Sequence, residues 1–317
     1  MHPEAEKKAY RIERLGKDNL DDLDRLYQAV YGKISPPGYF QKKYDTSYTG
    51  AEYLGYFAYN SEGLAIAYYG VMPCFLQYQR DILLAAQSGD TMTHPAYRNK
   101  GLFVELCNRT IDLCRQTEVR LLFGFPNQNS YPGFVGKLGW TSTGKLDCFC
   151  LPVSTLPLAA AAERFGFLQR PYMTWRNAIL KGKLLPLAGI PGPAANSRYG
   201  GLYRDDAYLH YKGYSAGTQV IRVGAALAWV SIRQDLVLGD LSLEGQDFGM
   251  TIRLLQKITA SLGIRRLYFH SSPGTELHQL FASRYSPIPS FPIIFKDLGA
   301  GIPLDELKFT FADIDTF

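Results

Sequence analysis

Apolar residues recur along this chain in two alternating rhythms, one with a period of two and one near 3.6, and the alternation predicts strands and helices in turn. Residues 10–15 read as a first strand. Leu20, Leu23, Leu26, Tyr27 and Val30 then fall on one helical face, predicting an amphipathic helix over 19–30. Pro36-Pro37-Gly38 breaks that rhythm before a short helical piece at 39–44. Strands are predicted at 52–59 and 64–77, separated by the turn residues Asn60-Ser61-Glu62-Gly63, and at 81–93, where Ile82-Leu83-Leu84-Ala85-Ala86 gives way to the polar Ser88, Asp90 and Thr91. Leu102, Leu106, Leu113 and Cys114 mark a helix, 120–125 a strand, and 127–140 a polar turn and helix ending Lys137-Leu138-Gly139-Trp140.

Residues 151–196 read as a connector with helices at 158–167 and 172–183, closed by the Pro/Gly cluster at 189–193. From about 197 the order repeats: strands at 218–222, 225–233 and 236–243, a helix at 248–262, a strand at 264–270, and a helix starting near Pro273-Gly274-Thr275-Glu276. The last nine residues, 309–317, read as a core strand with exposed carboxylates.

The stretch Thr93-His94-Pro95-Ala96-Tyr97-Arg98-Asn99-Lys100-Gly101-Leu102-Phe103 carries the clearest chemistry. It joins a strand to the start of a helix, whose first amides lack intrahelical partners and lie at the positive end of the dipole. A phosphate placed there is held without a metal. Gly101 lets a ligand approach the backbone, and Arg98 and Lys100 add charge. His94, beside this loop, is expected to order it.

This stretch resembles the acyl-CoA-binding motif of the GNAT acetyltransferases, Gln/Arg-x-x-Gly-x-Gly/Ala. Arg98 and Gly101 match; Phe103 stands where a small residue is usual. The strand at 120–125, Asn127-Gln128-Asn129-Ser130-Tyr131 and the Lys137-Leu138-Gly139-Trp140 ending are similar to a second segment of the same family. The resemblance is detailed over about 10–145 and topological over 197–317. It implies an α/β (α+β) chain of two GNAT-like domains, each a mixed, mostly antiparallel sheet flanked by helices: an acyl-CoA-binding domain at 1–150, the helical connector at 151–196, and a degenerate copy at 197–317.

In that family the sheet splays between its fourth and fifth strands and the pantetheine arm lies in the gap, here along Met92 and Thr93. The resemblance thus places acetyl-CoA, as co-substrate, on Met92, Thr93, Arg98, Asn99, Lys100, Gly101, Leu102, Phe103 and Asn127, with no metal. The acceptor it implies is a primary amine of a small molecule such as an amino sugar, amino acid or polyamine. The equivalent turn of the second half carries Glu244 and Asp247, which would repel a pyrophosphate.

Amine acylation needs a proton removed from the ammonium and returned to the leaving thiolate. Strict alternation along 81–93 would set Ser88, Asp90, Met92 and His94 on one face, making Asp90 the candidate base or amine anchor. The tyrosine that many of these enzymes use as acid is replaced by Val135, so Tyr131, one turn earlier, is the candidate acid. Asn127 and Asn129 can also serve as helix caps. Two alternatives stand beside an acyltransferase: a Fem-type aminoacyl transferase, and a non-enzymatic acyl-CoA sensor.

Composition narrows these classes. At 317 residues the chain exceeds the roughly 250–300 at which one core stops growing. A net charge of +5 without a Lys/Arg run argues against a nucleic-acid partner. No apolar stretch is long enough to span a membrane, and residues 1–8 lack the apolar core of a signal peptide, so no membrane partner and a cytoplasmic location are expected. Oligomeric state is not legible. The five cysteines, Cys74, Cys107, Cys114, Cys148 and Cys150, lie in apolar segments at spacings unsuited to zinc and read as packed thiols.

Overall fold

In the computed structural model of the chain, strand β1 (Arg11–Arg14) leads through α1 (Leu20–Tyr31) and α2 (Tyr39–Lys43) to β2 (Leu54–Tyr59), β3 (Ala65–Tyr78) and β4 (Asp81–Thr93). Next come α3 (Leu102–Gln116), β5 (Leu121–Gly124) and β6 (Thr141–Pro152), then α4 (Leu158–Arg164), α5 (Gln169–Leu180), β7 (Leu184–Leu185), β8 (Gly201–Leu202) and α6 (Asp206–Lys212). The chain finishes with β9 (Thr218–Val223), β10 (Ala226–Ile232), β11 (Leu236–Ser242), α7 (Phe248–Ser261), β12 (Arg266–Ser271), α8 (Glu276–Ala282) and β13 (Ile288–Asp297). The structure describes residues 10–192, 198–215 and 217–317; the readings made for residues 1–8 and for the boundary at 196/197 lie outside them.

Two compact units result: Met1–Phe75 with Leu83–Ser142 and Ile293–Ile302, and Leu76–Ile82 with Thr143–Pro292 and Pro303–Phe317. In the first, the sheet order is β1-β2-β3-β4-β5-β13. β4 and β5 are parallel, whereas β5 and β13 are antiparallel, with Ile294 opposite Gly124. One face packs on α3 through Leu102, Leu106 and Cys107 against Tyr69, Ala86 and Leu122. The other face packs on α1 and α2, with Leu23, Leu26, Phe40 and Tyr44 against Phe57, Tyr68 and Met92. Each helix buries the stripe its sequence period sets.

In the second unit the order is β6-β12-β11-β10-β9-β7, mostly antiparallel with β11 and β12 parallel. α5, α7 and α8 cover one face, burying Leu180, Leu255 and Phe281 with Phe149, Val230 and Phe269. The structure thus has mixed, mostly antiparallel sheets flanked by helices.

Several elements depart from the sequence expectation for identifiable reasons. β13 was not anticipated, because Pro289 and Pro292 argue against an interior strand. α5 starts at Gln169 and runs through Pro171, since a first-turn residue needs no amide donor. The C-terminal segment is not a strand: it forms a 3-10 turn over Phe311–Asp313. Nor is its acidic character all exposed, because Asp313 is buried and accepts from Nε and Nη2 of the buried Arg204, whose Nη1 reaches the equally buried Asp240. Cys107 and Cys114 are core thiols, pushed up by burial, Cys114 to about 12.

Candidate functional site

The pairing of β4 with β5 ends at Ser88 opposite Gly124, yet β4 continues to Thr93. Its last five residues therefore have no partner on the β5 side. Asp90 stands within this free edge with a φ of 45°. A single left-handed residue breaks the pleat, and Asp, with its short polar side chain, tolerates that conformation better than most.

The left-handed residue corrects the expectation that Ser88, Asp90, Met92 and His94 share a face. Ser88 Oγ lies 2.9 Å from the hydroxyl of Tyr69, which packs with α3. Asp90 and Met92 instead turn to the α1/α2 side, where Met92 joins that core and Asp90 meets α2. Lys43 Nζ pairs with Asp90 Oδ2 at 2.8 Å, and the Tyr44 hydroxyl donates to the same oxygen at 2.9 Å. Oδ1 is left without a hydrogen-bond donor from the described residues. Lys43 is only 1% exposed and Asp90 14%.

Lys43, Tyr44 and Tyr31 surround the candidate Asp90, and sequence reasoning missed them. Burial, and next the Asp90 charge, raises the phenol of Tyr44 well above its usual range and also raises that of Tyr31, which lies half exposed within the fields of Asp90, Lys43 and Arg98. A signal existed for Lys43: spaced three residues after Phe40, it shares the helix face that Phe40 and Tyr44 bury.

Beyond β4 the chain makes a 3-10 turn, Pro95–Tyr97, capped by His94, whose Nδ1 accepts the Ala96 amide at 3.3 Å. Arg98, Asn99, Lys100 and Gly101 follow, all exposed, with left-handed φ at Asn99 (62°) and Gly101 (76°). Gly101 is the N-cap of α3 and offers no side-chain cap. The first helical amide to find an acceptor is that of Glu105, on the Gly101 carbonyl at 3.1 Å; those of Leu102, Phe103 and Val104 precede the first intrahelical bond. Lys100 Nζ lies 4.9 Å from the centre of the Tyr97 ring, and Arg98 Nε donates to the Thr93 carbonyl at 3.4 Å, so both cations stay at the loop. Phe103 turns into the core, edge-on to Phe134 at 5.1 Å; a Cβ at Gly133 would come within 2.6 Å of its ring. The bulky residue is thus accommodated by the glycine opposite.

After β5, Asn127 Oδ1 accepts the amides of Asn129 (2.9 Å) and Ser130 (3.1 Å), making Asn127 the cap of the next turn. Tyr131 and Val135 both pack against the α3-side core. The helix between them widens into a π turn over Gly133–Lys137, a form that often marks functional sites. Among the described residues no cluster of three or more His, Cys, Asp or Glu could hold a metal.

A strand that outruns its parallel neighbour, a left-handed residue within it, and an uncapped helix N-terminus just beyond form a recognisable arrangement. Residues 11–143 match the profile of the Acetyltransferase (GNAT) domain family. The fold is a GNAT fold. No curated protein matches the chain. Among solved structures it is similar to an Enterococcus faecalis V583 protein described as a Probable N-Acyltransferase, at 12% identity and TM-score 0.60 over 92% of this chain and 73% of that one. It is likewise similar to GCN5-related N-acetyltransferases from Kribbella flavida (12% identity, TM-score 0.55, 92% and 71% covered) and Anabaena variabilis ATCC 29413 (11%, 0.54, 91% and 73%).

In the second unit, the turn that precedes α7 closes differently from the one before α3. Asp247 caps α7, its Oδ1 accepting the Met250 amide at 2.7 Å, and Glu244 takes the left-handed position with a φ of 49°. The α7 N-terminus therefore has a side-chain cap, which the α3 N-terminus lacks.

Proposed function

We propose that the chain is an N-acetyltransferase that transfers the acetyl group of acetyl-CoA to a primary amine of a small molecule such as an amino sugar, amino acid or polyamine. The observation that carries this is the α3 N-terminus: three amides without intrahelical partners, no side-chain cap, and Arg98 and Lys100 beside them, at the end of a β4 edge free to pair with an extended arm. Bound there, acetyl-CoA supplies a thioester activated toward attack. The amides of Leu102 and Phe103, with Arg98, Asn99, Lys100 and Gly101, hold its pyrophosphate. The backbone at Met92 and Thr93 holds its amide-bearing arm, and Asn127 keeps a side-chain NH2 for the same arm.

Asp90 receives the acceptor amine. Its Oδ2 is tied to Lys43 and Tyr44, which fixes the carboxylate, while Oδ1 is free to accept a proton directly or through water. Tyr131 returns a proton to the leaving thiolate. The second unit acts as a degenerate GNAT copy without a donor site, a reading supported by its repeated element order and by the Asp247 cap. A cytoplasmic location is part of this reading, as the compartment where such a thioester donor is met.

Calorimetric titration with CoA tests the central point. The Gly101→Glu chain, with a carboxylate at the pyrophosphate position, should lose measurable binding. Forcing a side chain into the left-handed conformation costs only about 1–2 kcal/mol, so the chain should still fold. Unchanged affinity would overturn the site.

A further inference from the structure

Of the large apolar side chains exposed among the described residues, more than half fall in one segment of the second unit, between Leu156 and Leu187. Leu156, Phe165, Phe167, Trp175, Leu184 and Leu187 are the most exposed of them, with Phe167 79% and Trp175 51% exposed. Part of this segment is anchored on α7. Thr155 Oγ1, the Tyr172 hydroxyl and Trp175 Nε1 donate to the carbonyls of Ala260, Leu262 and Ser261 in turn (2.8, 3.1 and 3.1 Å), gathering the segment around the C-terminal end of α7. The Phe165 and Phe167 rings lie 6.1 Å apart, and the Arg164 guanidinium sits 5.5 Å from the Phe165 centre.

Charge on this segment is one-sided. Residues 151–190 hold Arg164, Arg170, Arg176, Lys181 and Lys183 against the single carboxylate of Glu163, a balance of +4 within a chain whose total is +5. Beside Trp175, sharing Ser261, lies a cavity of about 500 Å³ lined by Lys183, Arg222 and Lys257 together with apolar Ile179, Leu254 and Ile258. None of the cavity's lining residues is acidic, and none of its three cations has a carboxylate partner among the described residues.

We propose that this face is a peripheral docking surface for an anionic phospholipid bilayer. The exposed aromatics enter the headgroup region, and the cationic cavity takes a lipid phosphate with its apolar walls against the glycerol and first methylenes. Exposed Trp and Phe interleaved with Arg and Lys suit an interface that is apolar on one side and negatively charged on the other. Self-association through the same face would set like charges against each other. No described helix is long and apolar enough to cross a membrane, so the contact is with the surface only, and it stands independently of the acetyl-transfer proposal.

Vesicle flotation of the full chain, with intrinsic tryptophan emission as a second readout, tests this. Trp140 and Trp229 are buried, so an emission change on binding reports Trp175. Vesicles of phosphatidylglycerol and phosphatidylcholine in equal parts should float the protein at low ionic strength and shift its emission to the blue, whereas pure phosphatidylcholine should do neither. The Lys183→Ser, Arg222→Ser, Lys257→Ser triple variant should partition roughly a hundred-fold more weakly. The Phe165→Ser, Phe167→Ser variant should lose the blue shift while keeping the wild-type melting temperature. Equal partition into both vesicle types, or none, would overturn the proposal. So would a dimer in sedimentation velocity that the Phe167→Ser, Trp175→Ser variant dissociates, since the face would then belong to a second copy of the chain.

Discussion

Asp90→Asn separates two roles that one residue holds. Asn suits the left-handed backbone at this position as well as Asp does, and it keeps a side-chain oxygen, so the change removes charge and little else. What remains is the ammonium of Lys43, 1% exposed, without the carboxylate 2.8 Å away that balances it. Removing one member of a buried ion pair costs about 3–5 kcal/mol because the other stays charged in a poor solvent. Since Asp90 is partly exposed and Asn can still accept a hydrogen bond, the cost here should sit lower, at about 2–3 kcal/mol. With a shift of roughly 2–4 °C per kcal/mol for domains of this size, the melting temperature should fall by about 4–12 °C. Lys43→Met in the same chain should restore most of it, as an apolar side chain of similar length needs no counter-charge. Thermal unfolding of the two single variants and the double variant gives the coupling energy directly. Turnover measured in the double variant, where stability is repaired, then reports the chemical role of the Asp90–Lys43 pair, with a loss of roughly 10²–10⁴-fold if Oδ1 moves a proton. An Asp90→Asn chain that melts within about 1 °C of wild type would refute the dependence of Lys43 on Asp90.

Three further outcomes are expected. Calorimetry should find one CoA per chain, because Asp247 already caps α7; a stoichiometry of two would show that the second unit keeps a donor site. Tyr131→Phe should keep CoA affinity and melting temperature but lower turnover by roughly 10²–10⁴-fold, and wild-type rates would return Tyr131 to a packing role. His270, whose Nδ1 lies 2.8 Å from Ser290 Oγ and whose ring clusters with those of Phe291 and Phe311, is pushed by burial from 6.5 down to about 4. The unfolded chain takes up this proton near pH 6.5 and the folded one only near 4, so stability should fall as pH drops through that window, by up to about 3 kcal/mol. Urea unfolding of wild type and His270→Gln across this range checks the sign: the wild type should show the steeper loss toward acid.

The amino-acid order alone determined what depends on near neighbours. The faces of α1, α3 and α7 follow from apolar spacing, and the strand–turn–helix at 93–103 from a glycine and two cations placed between two rhythms. Local order also gave Asn127 as a possible cap, because an Asx side chain reaches only two or three residues ahead. Contacts between residues far apart in sequence were decided by tertiary structure. β13 pairs with β5 across some 170 residues, and its prolines hide it from any local rule. The side Asp90 faces is set by one left-handed residue that period-two counting passes over. The buried Lys43 meets the Asp90 carboxylate through the fold, and the buried Asp313 meets Arg204, 109 residues away. A charge enters a core when its partner is there, and a partner distant in sequence is found only once the chain has folded.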